Sequence, residues 1–244
     1  MADINVKDIR LKAIDSKTAN AFVKKHHYSG KIVPNSQLHF GAFYNERLHG
    51  VLSYGASLDK RKTMGLVKGT GWNEFVELNR MAFDDYLPKN SESRCIAISI
   101  RLIKKHAPQV KWIISFADAT QCGDGTIYRA SGFVLTDVRT NKNTVRRSDG
   151  EVIHKMTLES NPNQPRPELG GKSYYQLTDG KYNFMKYVEA VGGKVLIGYQ
   201  LRYVYFIDKS YRKRLSVDEI PYSNIEEVGA KMYLGKKPSL EQDV

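Results

Sequence analysis

Residues 110–133, VKWIISFADATQCGDGTIYRASGF, restrict the possible folds more than any other stretch of the chain. The first eight residues are apolar almost continuously, so a strand built from them needs cover on both faces, as central strands of parallel or mixed sheets have. Asp118 closes that strand, a turn follows with Gly123 and Gly125, and TIYRASGF reads as a short helix returning to the sheet. Asp124 stands where a helix cap is expected. A carboxylate at the carboxyl end of a buried strand, ahead of a turn that brings back Tyr128, predicts a cleft with titratable groups facing into it.

The remaining segments supply sheet partners and covering helices. VKDIRLKAI predicts a first strand, and Asp15 or Ser16 caps a helix running through TANAFVKKHH to near Gly30. LHFGAFY and GVLSYGAS predict a hairpin about residues 45–47. A basic, glycine-containing loop leads to a fourth strand, FVELNRMAF, on which alternation puts Glu77 and Asn79 on one face and Arg80 on the other. SRCIAISIRLIKKH is helical, with Ile96, Ile100 and Ile103 on one side. A helix at 125–131 follows the fifth strand, and FVLTDVR and VIHKMTLES predict a closing pair of strands. The prolines of NPNQPRPE mark a boundary between a catalytic domain over 1–160 and an extension over 161–244 packed on it. In that extension VLIGYQLRYVYFIDK predicts a strand with Tyr199, Leu201, Tyr203 and Tyr205 on one face.

Composition narrows the function. Hydrophobic residues make up 41%, enough for a core, and no apolar run approaches the roughly 18 residues of a membrane span. The first residues contain no apolar signal core, so a cytoplasmic protein is expected. Two cysteines without CxxC spacing, Cys95 and Cys122, indicate neither a disulfide framework nor a zinc knuckle; Cys95 reads as core and Cys122 falls in the glycine turn. The net charge of +12 favours a polyanionic partner, because phosphate contacts release counterions. The charge is clustered at Lys60, Arg61 and Lys62, at Arg146 and Arg147, and at Arg212, Lys213 and Arg214. Tyr205, Phe206 and Tyr211 beside the last cluster suit stacking on unpaired bases.

The order β-α-β-β-β-α-β-α-β-β resembles that of the Gcn5-related N-acetyltransferase (GNAT) fold, a mixed, splayed sheet with flanking helices. TIYRASGF is similar to that superfamily's LYxxxGF motif, which implies that Tyr128 donates a proton to a departing coenzyme A sulfur. The glycine-spaced pyrophosphate loop is replaced by DDYLPKNSESR, leaving the helix N-terminus with Ser91, Ser93 and Arg94 to hold the donor. A narrower resemblance runs through KKHHYSG, LHFGAF, GVLSYG, ELNRMAFDD, LPKNSESR and SFADATQCGDGTIYRASGF, which follow one another much as in the Mom family of bacteriophages.

That resemblance implies an enzyme that converts the exocyclic amino group of adenine in double-stranded DNA to its carbamoylmethyl (acetamido) derivative, protecting phage DNA from restriction in the host cytoplasm. The functional residues it implies are His27, Tyr28, Arg80, Ser93, Asp118 and Tyr128. It also suggests iron, with His27 and Asp118 as ligands and His26 or His39 beside them. An adenine lone pair is delocalised into its ring, so a base such as Asp118 is needed within hydrogen-bond reach. The adenine must leave the duplex stack, and Tyr28, Tyr54 and Trp72 are aromatics that can hold it, Tyr54 being better suited to the core. The product joins nitrogen to a CH2 carbon, which simple acyl transfer does not give. Acetyl coenzyme A fits the fold and a glycine-derived donor fits the product's atoms. The alternatives are an ordinary acetyltransferase of an amine or protein, and a non-catalytic DNA-binding protein on a degenerate GNAT scaffold.

Overall fold

The computed structural model describes residues 4–119 and 125–230. Asn5 caps a 3-10 turn at Val6–Asp8, so the first strand, β1, is confined to Arg10–Ala13. Asp15 opens α1 (Ser16–His26) by accepting the Thr18 amide at 2.8 Å, and Lys24, Lys25 and His26 complement the dipole in its last turn. β2 (Ser36–Tyr44) and β3 (Arg47–Gly55) form the expected hairpin. Asn45 and Glu46 turn it with φ of 47° and 57°, the left-handed pair that a two-residue hairpin loop uses.

Within the basic loop, Asp59 caps a short helix, α2 (Lys60–Met64). β4 (Phe75–Phe83), α3 (Ser91–His106), β5 (Trp112–Asp118) and α4 (Thr126–Ala130) then follow in the predicted order. β6 (Val134–Arg146) is longer than predicted. Of VIHKMTLES only β7 (Val152–His154) is strand, because His154 Nδ1 accepts the Met156 amide and starts α5 (Lys155–Glu159). α6 (Tyr174–Thr178), α7 (Phe184–Ala190), β8 (Lys194–Phe206), a 3-10 turn at Lys209–Arg214 and α8 (Ser223–Glu227) complete the chain as described.

The chain divides into two compact units, Met1–Val138 with Leu201–Val244, and Arg139–Gln200. In the first, strands lie in the order β1-β2-β3-β4-β5-β8-β6, with β8 and β6 contributing residues 201–206 and 134–138. β1 to β4 are antiparallel and β5 is parallel to β4, so this is the mixed α/β sheet with flanking helices that the sequence predicts. Trp112 stacks on Phe75 at 4.5 Å in a core shared with Val67, Val204, Phe206 and Tyr211. Ile96, Ile100 and Ile103 of α3 are buried together, as their spacing requires.

Two features of β4 shape the sheet near its centre. Ser53 pairs with Arg80 and Tyr54 with Leu78, which leaves Asn79 as the extra residue of a β-bulge. β4 pairs with β5 only from Phe75 to Glu77, opposite Trp112 to Ile114; beyond that point the two strands part. The sheet therefore opens toward Asp118, the end of β5.

The second unit has its own core of Val145, Leu158, Tyr174, Tyr187 and Val188, and β7 pairs there with the far half of β6. The proline-rich segment falls inside this unit. Pro165 bridges Ser173, the Tyr175 amide donates to the Pro162 carbonyl at 3.0 Å, and Arg166 Nη2 donates to the Thr157 carbonyl at 2.9 Å. Prolines here bend a packed chain between helices. Among the described residues no helix is long and apolar enough to cross a membrane.

Candidate active site

His27 is the C-cap of α1, with its amide on the Val23 carbonyl. The Ser29 amide donates to His27 Nδ1 at 3.1 Å, and the Ser29 hydroxyl lies 2.8 Å from the same nitrogen. An amide can only donate, so Nδ1 is the acceptor and the neutral ring carries its proton on Nε2. Burial, then the nearby charge of Arg80, lower the His27 pKa to about 4, so the ring is neutral at physiological pH. Tyr28 packs its ring 4.2 Å from that of His27 and is 52% exposed.

Arg80 lies just past the bulge. Its Nε donates to the Lys31 carbonyl at 3.0 Å and its Nη1 to the Asn79 carbonyl at 2.9 Å. Burial lowers its pKa, against the opposing influence of Tyr28, Glu77 and Tyr128. Arg80 thus shares one electrostatic neighbourhood with His27, Tyr28, Glu77 and Tyr128. Strict alternation would have set Arg80 across the strand from Glu77; the bulge at Asn79 interrupts it.

Glu77, which the sequence pattern places on the face opposite Arg80, belongs to the same cluster. Burial raises its pKa, against the pull of its hydrogen bond with Asn79 and the charge of Arg80. Asn79 Oδ1 accepts from the Ser36 hydroxyl at 3.1 Å, so this polar cluster reaches from β4 across to β2. Its signal in the sequence is three polar residues, Glu77, Asn79 and Arg80, within one otherwise apolar central strand.

Asp118 is half-buried at the end of β5. Tyr128 is 8% exposed, with its ring 5.2 Å from Tyr203 and 5.4 Å from Phe133. Gly125 turns the chain into α4 at a φ of 73°, and a Cβ there would stand 2.6 Å from the Tyr203 ring, so both conformation and space require glycine. Asp124 as a cap and Cys122 in the turn lie outside the described residues. Tyr54 is core, with its hydroxyl 2.6 Å from Ser99 Oγ. Trp72 stands at the other end of β4, three residues before Phe75, and not beside Asp118.

A cavity lies beside the start of α3. It measures about 660 Å³ and is lined by Lys7, Asn90, Ser93, Arg94, Arg101 and Tyr205, among others. Asn90 sits at a φ of 72° and makes no side-chain cap, which leaves first-turn amides of a 16-residue helix to meet an anion. Arg94 Nε is buried there with no hydrogen-bond partner, while its Nη2 donates to the Lys7 carbonyl at 3.2 Å. An anionic donor fits such a lining. Ser91 does not line the cavity, because its buried hydroxyl donates to the Pro88 carbonyl at 2.6 Å. Lys7 and Arg101 were missed; one is distant in sequence, and the other looks like any exposed helical base.

The donor set for iron does not assemble. Among the described residues no group of three or more His, Cys, Asp or Glu could hold a metal. His39 Nδ1 lies 2.8 Å from Ser53 Oγ on the neighbouring strand, and His26 stacks on Phe22 at 4.3 Å. With His27 Nδ1 accepting from Ser29, these residues do not fit an iron centre.

The basic clusters differ in how their charge is used. Arg147 pairs with Asp149 and Glu151, and Arg212 holds Glu219 through two bonds of 2.6 and 2.5 Å. Lys60, Arg61, Lys62 and Lys213 have no carboxylate within ion-pair distance among the described residues, and Arg146 lies on β6, opposite Val152.

Residues 8–224 match the sequence profile of the Mom protein family. A protein of Escherichia phage Mu named methylcarbamoylase mom is 34% identical over 211 residues, which cover 86% of this chain and 80% of the phage protein. Among solved structures, an N-acetyltransferase from Staphylococcus aureus Mu50 is 9% identical with a TM-score of 0.44, over 82% of this chain and 98% of that one. A Bacillus subtilis acetyltransferase in complex with CoA is 10% identical with a TM-score of 0.42, over 81% and 98%.

Proposed function

Because this chain belongs to the Mom protein family, we propose that it is a transferase that builds a carbamoylmethyl group on the exocyclic nitrogen of adenine in double-stranded DNA. It does so in the cytoplasm of the infected cell and thereby protects phage DNA from restriction. The observation that carries this reading is the 34% identity, over most of both chains, to a protein named methylcarbamoylase. The net charge of +12 and the polar groups at the open end of the sheet support it.

In this reading the target adenine is flipped out of the duplex into the opening between β4 and β5, against the exposed ring of Tyr28. As the nitrogen–carbon bond forms, the amino group loses a proton, and the Asp118 carboxylate takes it. Neutral His27 offers its Nε2 proton as a donor, and Arg80 supplies fixed positive charge where negative charge develops. Tyr128, enclosed by Tyr203 and Phe133, orients the reacting groups. A coenzyme A-type or glycine-derived donor, held by Lys7, Ser93, Arg94 and Arg101, would supply a CH2 carbon whose bond to its leaving group breaks as the nitrogen–carbon bond forms, since transfer of an acyl carbon does not give this product.

Mass analysis of nucleosides from the DNA of cells expressing the protein tests this directly. A carbamoylmethyladenosine derivative is expected; unmodified adenine in cells that contain folded protein would overturn the reading.

A further inference from the structure

Two basic clusters that lie far apart in the sequence meet in the fold. The Lys68 amide donates to the Arg214 carbonyl at 2.8 Å, and Arg214 Nε returns a bond of 2.6 Å to the Lys68 carbonyl, 146 positions away. Val67 bridges Leu215, and the Ser216 hydroxyl donates to the Gly65 carbonyl at 2.9 Å. The α2 loop and the 3-10 turn at Lys209–Arg214 are thus stitched together over Phe75 and Trp112, the starts of β4 and β5. Asp118 closes the other end of β5, six residues or about 20 Å from Trp112.

The acidic residues of this surface hold its turns. Asp59 accepts the Lys62 amide, Asp208 the Ser210 amide and Glu74 the Gly71 amide. They cap the turns that present the bases. The aromatic rings are covered by cations: Lys60 Nζ lies 4.4 Å from the centre of the Trp72 ring, Arg214 3.7 Å from Tyr211, and Lys209 Nζ 5.0 Å from Tyr205. Each ring thus has a cation over one face, and Phe206 and Tyr211 are themselves buried in the core, which limits stacking on unpaired bases at this surface. Bases outnumber acids here, with Lys60, Arg61, Lys62, Lys68, Lys209, Lys213 and Arg214 against Asp59, Glu74 and Asp208, so the surface is net positive.

We propose that this surface is a second DNA contact, distinct from the opening beside Asp118, which grips the phosphates of intact duplex without reading its bases. It rests on the proposed function only for the choice of DNA as the polyanion. Backbone-fixed turns hold the cations in place before binding, and about 20 Å corresponds to roughly six base-pair steps along a duplex.

The test uses the full chain and a G·C-only duplex, which contains no adenine, with binding followed by fluorescence anisotropy across salt concentrations. Wild-type protein should bind it, and Lys62→Glu with Lys213→Glu should weaken binding at least tenfold and flatten the log–log salt slope by about 2. Lys172→Glu with Lys181→Glu, an equal change in net charge in the second unit, should leave the slope unchanged. Circular dichroism reports folding; if the glutamates disturb it, Lys62→Gln with Lys213→Gln should still flatten the slope. An unchanged slope in the first pair, an equal loss in the control pair, or tighter binding of the single strand than of the duplex would each overturn the proposal. Because no adenine is present, this outcome is independent of whether modified adenine is found in cells.

Discussion

His27 is the residue whose state is most constrained by its surroundings. Its pKa falls from 6.5 to about 4, so between those values an unfolded chain takes up a proton that the folded chain refuses. Stability contributed by the neutral ring is complete above pH 6.5 and lost as pH falls toward 4. If catalysis needs the neutral ring, a pH–rate profile should stay level through pH 6 and fall only near 4; an acid limb centred near 6.5 would show that burial and Arg80 do not hold the ring neutral as described, or that another group governs the reaction. Asp118→Asn keeps the shape of the half-buried strand end and removes its charge. Modification should fall by about 10²–10⁴-fold while DNA binding and the melting temperature hold, as nucleoside mass analysis and calorimetry would show. Near-normal modification would remove Asp118 from the proton path. The position of Asp118 at the end of β5 was legible because a carboxylate ending an apolar strand is conspicuous. Lys7 and Arg101 were not, since only the folded chain brings the N-terminal turn to α3 and its cavity.

At the level of elements, periodicity read well wherever one face or both faces are buried. α3, β4 and β5 emerged close to their predicted limits because their apolar spacing answers to a core that covers them. The failures are local. α2 and α5 are single turns begun by the caps Asp59 and His154, and five residues are too few for periodicity to show. The bulge at Asn79 left no mark either, although it re-aims the residues nearest the opening. α3 is tied to β3 by the buried Tyr54 hydroxyl, which donates to Ser99 Oγ because that oxygen already donates to the Ile96 carbonyl at 2.8 Å. Ser99→Ala therefore strands a buried hydroxyl and should cost about 1–3 kcal/mol in urea unfolding. Tyr54→Phe removes the stranded group itself and should cost less. The reverse ranking would mean that the tyrosine oxygen matters for more than this bond.

For the molecule as a whole, the sequence conveyed the class of the sheet and its basic character but not the division of the chain. Prolines at 162, 165 and 167 looked like a link between domains, yet they are folded into a unit bounded by two long strands. The chain leaves the first unit along β6 and re-enters it along β8, its neighbour in the sheet, where Arg202 Nε donates to Thr136 Oγ1 at 2.9 Å. Exit and entry points are one strand spacing apart, about 5 Å. An excursion with such closely set ends is a cassette. Replacing 139–200 by an Asn-Gly hairpin should leave a cooperative thermal transition in the shortened chain, and loss of that transition would show the two units to be one folding unit. The same geometry makes this a socket: the intervening piece can be exchanged for another with matching ends, and the sheet that holds Asp118 need not be rebuilt each time.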